Sequence, residues 1–321
     1  MTHTLMLATR AVDEARAFGG MVYHEHGLRT YDSDDDFGMR LRASRIGPVV
    51  IGTLEYRSHV RIEAPRYVDS YQVNLPLTGA VSMTYGARTA AATPRTAIVH
   101  GISAATAIEG WSVPTRLLGV KLLRSGLERQ FAELTGTPAG RPIEFDGRLD
   151  VTSPSGRLWA ALARRLEWWA RADTAEDELV GPTLVRALVD TLLRAAPGTH
   201  TADVERASRT DDPASLALAI MHARAASTVG IADIAAEAGV GVRTLEKHVQ
   251  ARWGRTPSEL LRTLRLTYAR RELSHTPPGE AKIAATAARW GIPHAGRFAA
   301  HYADLFGESP SATVAAHRSE P

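Results

Sequence analysis

Two groups of side chains in this chain have types and spacings suited to chemistry. The first is Arg243, Thr244, Glu246, Lys247 and His248, gathered around Leu245 and Val249. If those two apolar residues turn inward at i, i+4 spacing on a helix, the five polar ones face outward. An outward arginine can bond the O6 and N7 edge of guanine with both arms, and a glutamate can accept from cytosine N4. The same charges also suit a solvated helix face or phosphate contacts. The second group is His24-Glu25-His26. Metal sites for oxygen chemistry need two or three imidazoles and a carboxylate to converge, and a His-x-His pair supplies part of that set. Here the pair precedes the first clear strand-like run, no Glu follows at short range, and His59 and His100 stand in separate segments. The sequence therefore favours surface or hydrogen-bonded histidines over a metal centre.

The elements that must position the first group occur twice. Ile231, Ala235, Gly239 and Val240 recur as Ile283, Ala287, Gly291 and Ile292, a shift of 52 residues. Trp253-Gly254-Arg255-Thr256-Pro257-Ser258 recurs as Phe306-Gly307-Glu308-Ser309-Pro310-Ser311, a shift of 53. Each copy reads as a short helix with a small residue where a second helix crosses it, a glycine for the turn, an apolar plug, and an amphipathic helix behind. That is the grammar of a helix-turn-helix. Leu245 with Val249, and Phe298 with Tyr302, supply the inward stripes of the second helices. One copy alone would be read equally well as a buried helical hairpin; two in matched register favour nucleic acid.

Between the copies, residues 258–274 carry Leu260, Leu261, Leu264, Tyr268 and Leu273 on a helical period, with Pro257 at the start and Pro277-Pro278 beyond the end. They predict one continuous helix about 25 Å long at ~1.5 Å per residue. The spacing of major-groove faces along one side of B-DNA is roughly 34 Å, so two heads on such a strut are expected to bend the duplex.

From Asp233 to Pro310 the chain resembles the AraC/XylS family of bacterial transcription regulators. The residues that carry the likeness are Arg243, Leu245, Gly254, Pro257, Arg265-Leu266, Ala269-Arg270, Ala287, Gly291, Phe298, Phe306, Gly307 and Pro310. The resemblance implies two helix-turn-helix units on a linker helix, with Arg243, Glu246 and Lys247 at positions that contact bases. One departure is notable. The second recognition helix reads His294-Ala295-Gly296-Arg297-Phe298-Ala299-Ala300-His301, with small residues where many members carry long polar ones. Base reading there is expected to fall mainly to Arg297, helped by His294, with His301 also on the candidate DNA face.

Composition agrees without deciding the matter. The 321 residues suit two domains and 44% hydrophobic content allows each a core, while a net charge of +3 is compatible with many soluble enzymes. Arg243, Lys247, Arg252, Arg255, Arg262, Arg265, Arg270, Arg271, Lys282, Arg289 and Arg297 lie in the duplicated region, whereas Asp32, Asp34, Asp35 and Asp36 lie near the other end. The chain has no cysteine, which removes disulfides, thiol catalysis and thiolate metal sites. It shows no secretory signal pattern and no apolar run of membrane-spanning length, so a cytoplasmic protein without a membrane partner is expected.

Residues 1–150 change character. A short helix is predicted around 12–20, followed by β-type runs at 49–54, 59–62, 71–77, 80–85, 96–99 and 116–122, broken by Gly and Pro. Many short alternating strands argue for a barrel or sandwich. The segment Tyr71-Gln72-Val73-Asn74-Leu75-Pro76-Leu77-Thr78-Gly79 resembles the cupin-like effector-binding domain that precedes the DNA-binding unit in this family. If such a barrel holds a small effector, its interior is expected to be apolar with a few fixed polar groups, for which Tyr71, Asn74, His100, Trp111 and Arg116 are candidates.

Residues 157–196 turn helical. Leu158, Leu162, Leu166 and Trp169 form one stripe and Val185, Leu188, Val189 and Leu192 another, while Trp159 and Trp168 lie off the first. A helix apolar on more than one side must bury more than one, here against the barrel and, in a dimer, against a partner chain. Dimerisation through these helices is also what the resemblance implies. Residues 197–212 are polar and contain Pro and Gly, as in a linker or partly helical hinge.

The expected protein is thus an α+β multidomain chain. Residues 1–196 form a cupin-like β-barrel (about 21–150) with flanking helices (about 157–196) for effector binding and dimerisation. Residues 197–212 link it to an all-α domain, 213–321, of two helix-turn-helix units joined by a long helix. The expected function is a sequence-specific DNA-binding transcription regulator, an activator by analogy, without cofactors. Its expected partners are double-stranded DNA, RNA polymerase by family resemblance, a small-molecule effector and a second copy. The alternatives are a cupin-type metal-dependent enzyme and a constitutive DNA binder whose barrel only dimerises.

Overall fold

The computed structural model describes residues 3–31, 36–66, 68–102, 104–111, 115–171, 180–208, 213–277 and 281–316. Asp32, Asp34, Asp35, Pro278 and residues 209–212 of the expected linker lie outside the described residues. The chain divides into two compact units, Met1–Asp211 and Asp212–Pro321.

The first unit holds two antiparallel sheets. One runs in the order β1 (His3–Thr9), β3 (Met39–Ile46), β4 (Val49–Tyr56), β11 (Thr115–Leu123), β6 (Ser70–Thr78), β9 (Thr96–His100) and β12 (Arg148–Asp150). The other runs β2 (Gly27–Thr30), β5 (Val60–Ala64), β10 (Thr106–Glu109), β7 (Val81–Tyr85) and β8 (Arg88–Ala92). The strands expected of a cupin-like barrel or sandwich form two separate sheets, and among the described residues no ladder joins their edge strands. A local pattern specifies which face of a strand is buried but not whether the outermost strands meet. Strand β6 is buried along Ser70–Pro76, because β11 and β9 flank it and both of its faces are covered. Pro76 has no N–H to give the ladder, and the register with β11 slips between Arg116 and Leu117, next to Pro76's partner. The core includes Phe37, Met39, Leu41, Tyr56, Val60, Met83, Trp111 and Leu117.

Helix α1 (Val12–Val22) packs beside β1 and β2, and α2 (Arg124–Thr135) follows β11 directly. Helix α3 (Pro154–Ala170) starts on a Ser153 cap that accepts from Gly156 N at 3.1 Å, with Pro154 in its first turn. It lies against α4 (Val180–Ala195) and against β3 and β4. The off-stripe Trp159 is fully buried there. Trp159, one of the two off-stripe residues, is therefore spent within the chain, whereas Trp168, the other, is half-buried beside Arg165. Part of the stretch read as linker is helical: α5 (Thr201–Ser208) packs on α2 and α4 through Val204. Backbone bonds from Asp146 N to Pro197 O and from Thr199 N to Glu144 O tie its approach down.

The second unit is all helical: α6 (Pro213–Ala223), α7 (Ile231–Glu237), α8 (Val242–Trp253), α9 (Pro257–His275), α10 (Ile283–Arg289), α11 (Ala295–Phe306) and α12 (Pro310–Ala316). The duplication reappears bond for bond. After α7, Gly239 N donates to Ala236 O and Val240 N to Ala235 O; after α10, Gly291 N donates to Ala288 O and Ile292 N to Ala287 O. Both are Schellman caps, and both glycines take positive φ, 74° and 69°. Helix α9 opens with a capping box in which Thr256 N donates to Glu259 Oε2 at 2.8 Å and Glu259 N to Thr256 Oγ1 at 3.2 Å, with Pro257 in its first turn. No helix among the described residues is long and apolar enough to cross a membrane.

Candidate nucleic-acid interface and effector cavity

Helices α8 and α11 are each 12 residues long and each bury one stripe. Leu245, Val249, Phe298 and Tyr302 are fully buried, so the periodicity dictates what remains outside. Arg243, Thr244, Glu246 and Lys247 are exposed on α8, and His248 is half-buried. On the second head His294 and Arg297 are exposed and His301 is half-buried. Gln250, also exposed, shares the α8 face at i+3 from Lys247 and i+4 from Glu246; that spacing was the signal available for it, and the sequence reading did not use it. The two outer faces differ chemically. Around Arg297 the exposed positions of α11 are Ala295, Gly296, Ala299 and Ala300, with Ala303, Asp304 and Leu305 exposed further along, whereas α8 presents long polar side chains from its start.

The long helix holds both heads through charged anchors, a role the sequence did not reveal. Near its middle, Arg265 donates from Nη2 to Ser227 O (2.7 Å) and Val229 O (2.9 Å), and from Nε to Ala225 O (3.3 Å), fixing the loop between α6 and α7. Near its end, Glu272 accepts from Thr286 Oγ1 (3.0 Å), Arg289 Nη1 (2.8 Å) and Trp290 Nε1 (2.8 Å), fixing α10. Trp290 stacks on Tyr268 with centroids 5.0 Å apart, and the Tyr268 hydroxyl lies 2.8 Å from His222 Nδ1 on α6. These anchors sort the basic excess. Arg270 pairs with Glu308 at 3.0 Å and lies over Phe306, Arg289 pairs with Glu272, and Arg271 is buried. Arg243, Lys247, Arg262 and Arg297 are exposed and form no ion pair among the described residues. A cleft of about 360 Å³ within this unit is lined by Arg262, Arg265, His294, Arg297 and His301.

In the first unit the five candidate effector residues separate. Tyr71 is core: its hydroxyl accepts from Ile143 N at 3.1 Å and its ring meets Phe145 edge-on. His100 is buried with Nε2 3.4 Å from Met83 Sδ, and burial pushes its imidazole down to about 4. Trp111 packs edge-on to Tyr56. Arg116 is half-buried on β11. Asn74 alone of the five lines an interior cavity of about 60 Å³. Sequence reasoning did not place Tyr23, Gln72 and Gly119 there; the register of β6 on β11 brings Gln72 and Gly119 together, and the end of α1 brings Tyr23 to them. His24 and His26 border the same cavity, and burial lowers both imidazoles, His24 to about 3. Among the described residues no three His, Cys, Asp or Glu side chains group as metal ligands would.

The comparisons with known proteins agree with this geometry. Residues 15–196 match an AraC-binding-like domain and residues 234–316 a helix-turn-helix domain. Over 307 residues, 94% of this chain and 92% of the other, the sequence is 34% identical to the probable thc operon regulatory protein of Rhodococcus erythropolis. Among solved structures, the AraC-like transcriptional activator CuxR is 14% identical, covering 82% of this chain and 95% of its own, with a TM-score of 0.45. A probable AraC family transcriptional regulator from Rhodopseudomonas palustris CGA009 is 27% identical over 35% of this chain and all of its own, with a TM-score of 0.31. Both TM-scores are low, so the assignment rests on the domain matches and the full-length relative. The chain belongs to the AraC family of transcription regulators, and it is a DNA-binding regulator of transcription.

Proposed function

We propose that the chain is an effector-controlled, sequence-specific transcription activator that works in the cytoplasm and grips two successive major grooves. The carrying observation is the pair of identical Schellman turns that present α8 and α11 from one strut. In this reading Arg243, Thr244, Glu246, Lys247 and His248 face one groove, and His294, Arg297 and His301 the other. With 19 residues, α9 spans about 28 Å, less than the roughly 34 Å between groove faces, so the duplex bends toward the protein. Residues 1–196 bind a small molecule and a second copy, and 213–321 bind DNA, with 197–212 as the join. Ligand control is then a population shift, which requires the effector to bind the DNA-competent arrangement more tightly than the other. RNA polymerase is the downstream partner that family membership implies, and the reading assigns the chain no catalytic step.

The test is selection from randomised duplexes by the full chain, followed by a gel-shift phasing assay on the selected site. A selected motif and a phase-dependent mobility are expected. Absence of any motif sinks the reading; straight DNA in the complex sinks the two-groove grip. Sedimentation at micromolar concentration tests the dimer, which a strict monomer would refute.

A further inference from the structure

The cavity in the first unit has a chemical polarity of its own. Its walls are Leu41, Leu54, Ile62, Ala64, Ile108 and Leu117, and no Arg, Lys, Asp or Glu lines it. Its polar rim is Tyr23, His24, His26, Gln72 and Asn74. The Gln72 amide nitrogen donates to Asn74 Oδ1 at 3.0 Å, which leaves Gln72 Oε1, in a side chain 6% exposed, with no partner. The His26 Nδ1 lies 2.7 Å from the carbonyl oxygen of His24, and a carbonyl only accepts, so Nδ1 carries the proton. In the neutral ring the other nitrogen, Nε2, is then an acceptor, and it too is buried without a partner. Burial lowers the His26 imidazole, which keeps that neutral form at ordinary pH. The Tyr23 hydroxyl is turned toward Gly119 O at 3.4 Å, in a space where a Cβ on Gly119 would come within 2.8 Å of it.

Two unsatisfied acceptors in an apolar box call for a donor. A buried acceptor left unmade costs free energy, and burying an uncompensated charge costs far more. Taking the effector reading above as its basis, we infer that the cavity binds the head of a small uncharged molecule that donates hydrogen bonds to Gln72 Oε1 and His26 Nε2, such as an amide N–H or a hydroxyl on a short aliphatic body. Carboxylates are disfavoured because no cation lines the cavity, the ammonium of Lys121 nearby being spent on Tyr23 O, and ketones because they leave both acceptors unmade. A single water needs about 10–15 Å³ of such space, so the cavity of about 60 Å³ takes a molecule of a few non-hydrogen atoms.

Acetamide, isopropanol, acetone, acetate and isopropylammonium are close in size and separate these chemistries. The full chain is titrated with each while thermal unfolding of the first unit and affinity for the selected operator are followed in parallel. Acetamide and isopropanol are expected to raise the unfolding temperature in a saturable way, and acetone and both ions are not. The Gln72→Leu variant should weaken acetamide about tenfold, the loss of one buried hydrogen bond. Ala64→Val, which fills the cavity, should abolish the response to acetamide and to isopropanol. If either variant fails to fold, the wild-type series still decides. Equal or stronger response to acetone or to either ion overturns the inference, and so does no response to any probe, the result expected of a cavity occupied only by water. Stabilisation by acetamide with unchanged operator affinity keeps the cavity chemistry and removes effector control. An ion that shifts operator affinity does the reverse.

Discussion

Glu272→Ala should loosen the second helix-turn-helix from the strut, and the structure sets the size of the effect. The carboxylate, with a side chain only 15% exposed, accepts three hydrogen bonds. Its loss leaves the indole N–H of Trp290, a residue 2% exposed, without an acceptor, which costs about 1–3 kcal/mol. Thr286 can turn its hydroxyl toward the carbonyl of Lys282 one turn back, as helical threonines do, so it adds less. The Arg289 pair is largely exposed on the arginine side, 62%, and is worth at most about 1 kcal/mol after screening. The sum is about 2–3 kcal/mol. For a domain of this size, at ~4–8 °C per kcal/mol, that lowers the melting temperature by roughly 10 °C or more. Urea unfolding of residues 212–321, followed by tryptophan fluorescence, measures it, and footprinting should show the α11 half of the site weakening before the α8 half. Glu272→Gln, which keeps one good acceptor, should fall between. A Glu272→Ala protein within about 0.5 kcal/mol of wild type, the usual range for an inconsequential surface change, would refute the anchor.

The two turn glycines should respond differently to alanine. Gly239→Ala meets open space and suffers only its positive φ, about 1 kcal/mol, whereas a Cβ on Gly291 would sit 2.7 Å from Ser227 O and 2.8 Å from Arg265 Cζ, so Gly291→Ala should cost clearly more in the same urea assay. Arg243→Ala is expected to relax preference at particular base pairs by about 1–3 kcal/mol, while Arg262→Ala should weaken all sequences alike and reduce the salt slope by about one; selection and salt titration separate the two. Acid should destabilise the first unit. His100 is held down to about 4 from 6.5, so the unfolded chain takes the proton first; the stability it contributes is complete above pH 6.5 and is lost as pH falls toward 4. Replacing it, His100→Phe, should flatten that part of the acid-unfolding curve.

The DNA-binding unit was legible because its signals are local. A glycine after seven helical residues, an apolar plug beside it and an i, i+4 stripe are properties of a dozen consecutive residues, and they recur 52 positions on. The first unit was harder. Strand β3 alternates Met39, Leu41 and Ala43 inward against Arg40 and Arg42 but carries a β-branched residue only at Ile46, and α5 offers only Val204 as a buried apolar residue, so its sequence passes for linker. Arg265 and Glu272 looked like ordinary charges on a helix face, since the backbone carbonyls and the indole that they bind lie far from them along the chain.

By itself the sequence determined the duplicated heads, the strut between them and the outward residues that can read bases, because helical periodicity and turn stereochemistry act over a few residues. Tertiary structure alone decided that the sheets stay open, that Trp159 is used up inside the chain, that Arg265, Arg270, Arg271 and Arg289 serve the fold, and that Gln72 and His26 share one cavity. Each of those depends on which distant surfaces meet. Hydrogen-bond partners and burial are settled by that meeting, and no pattern along the chain encodes it.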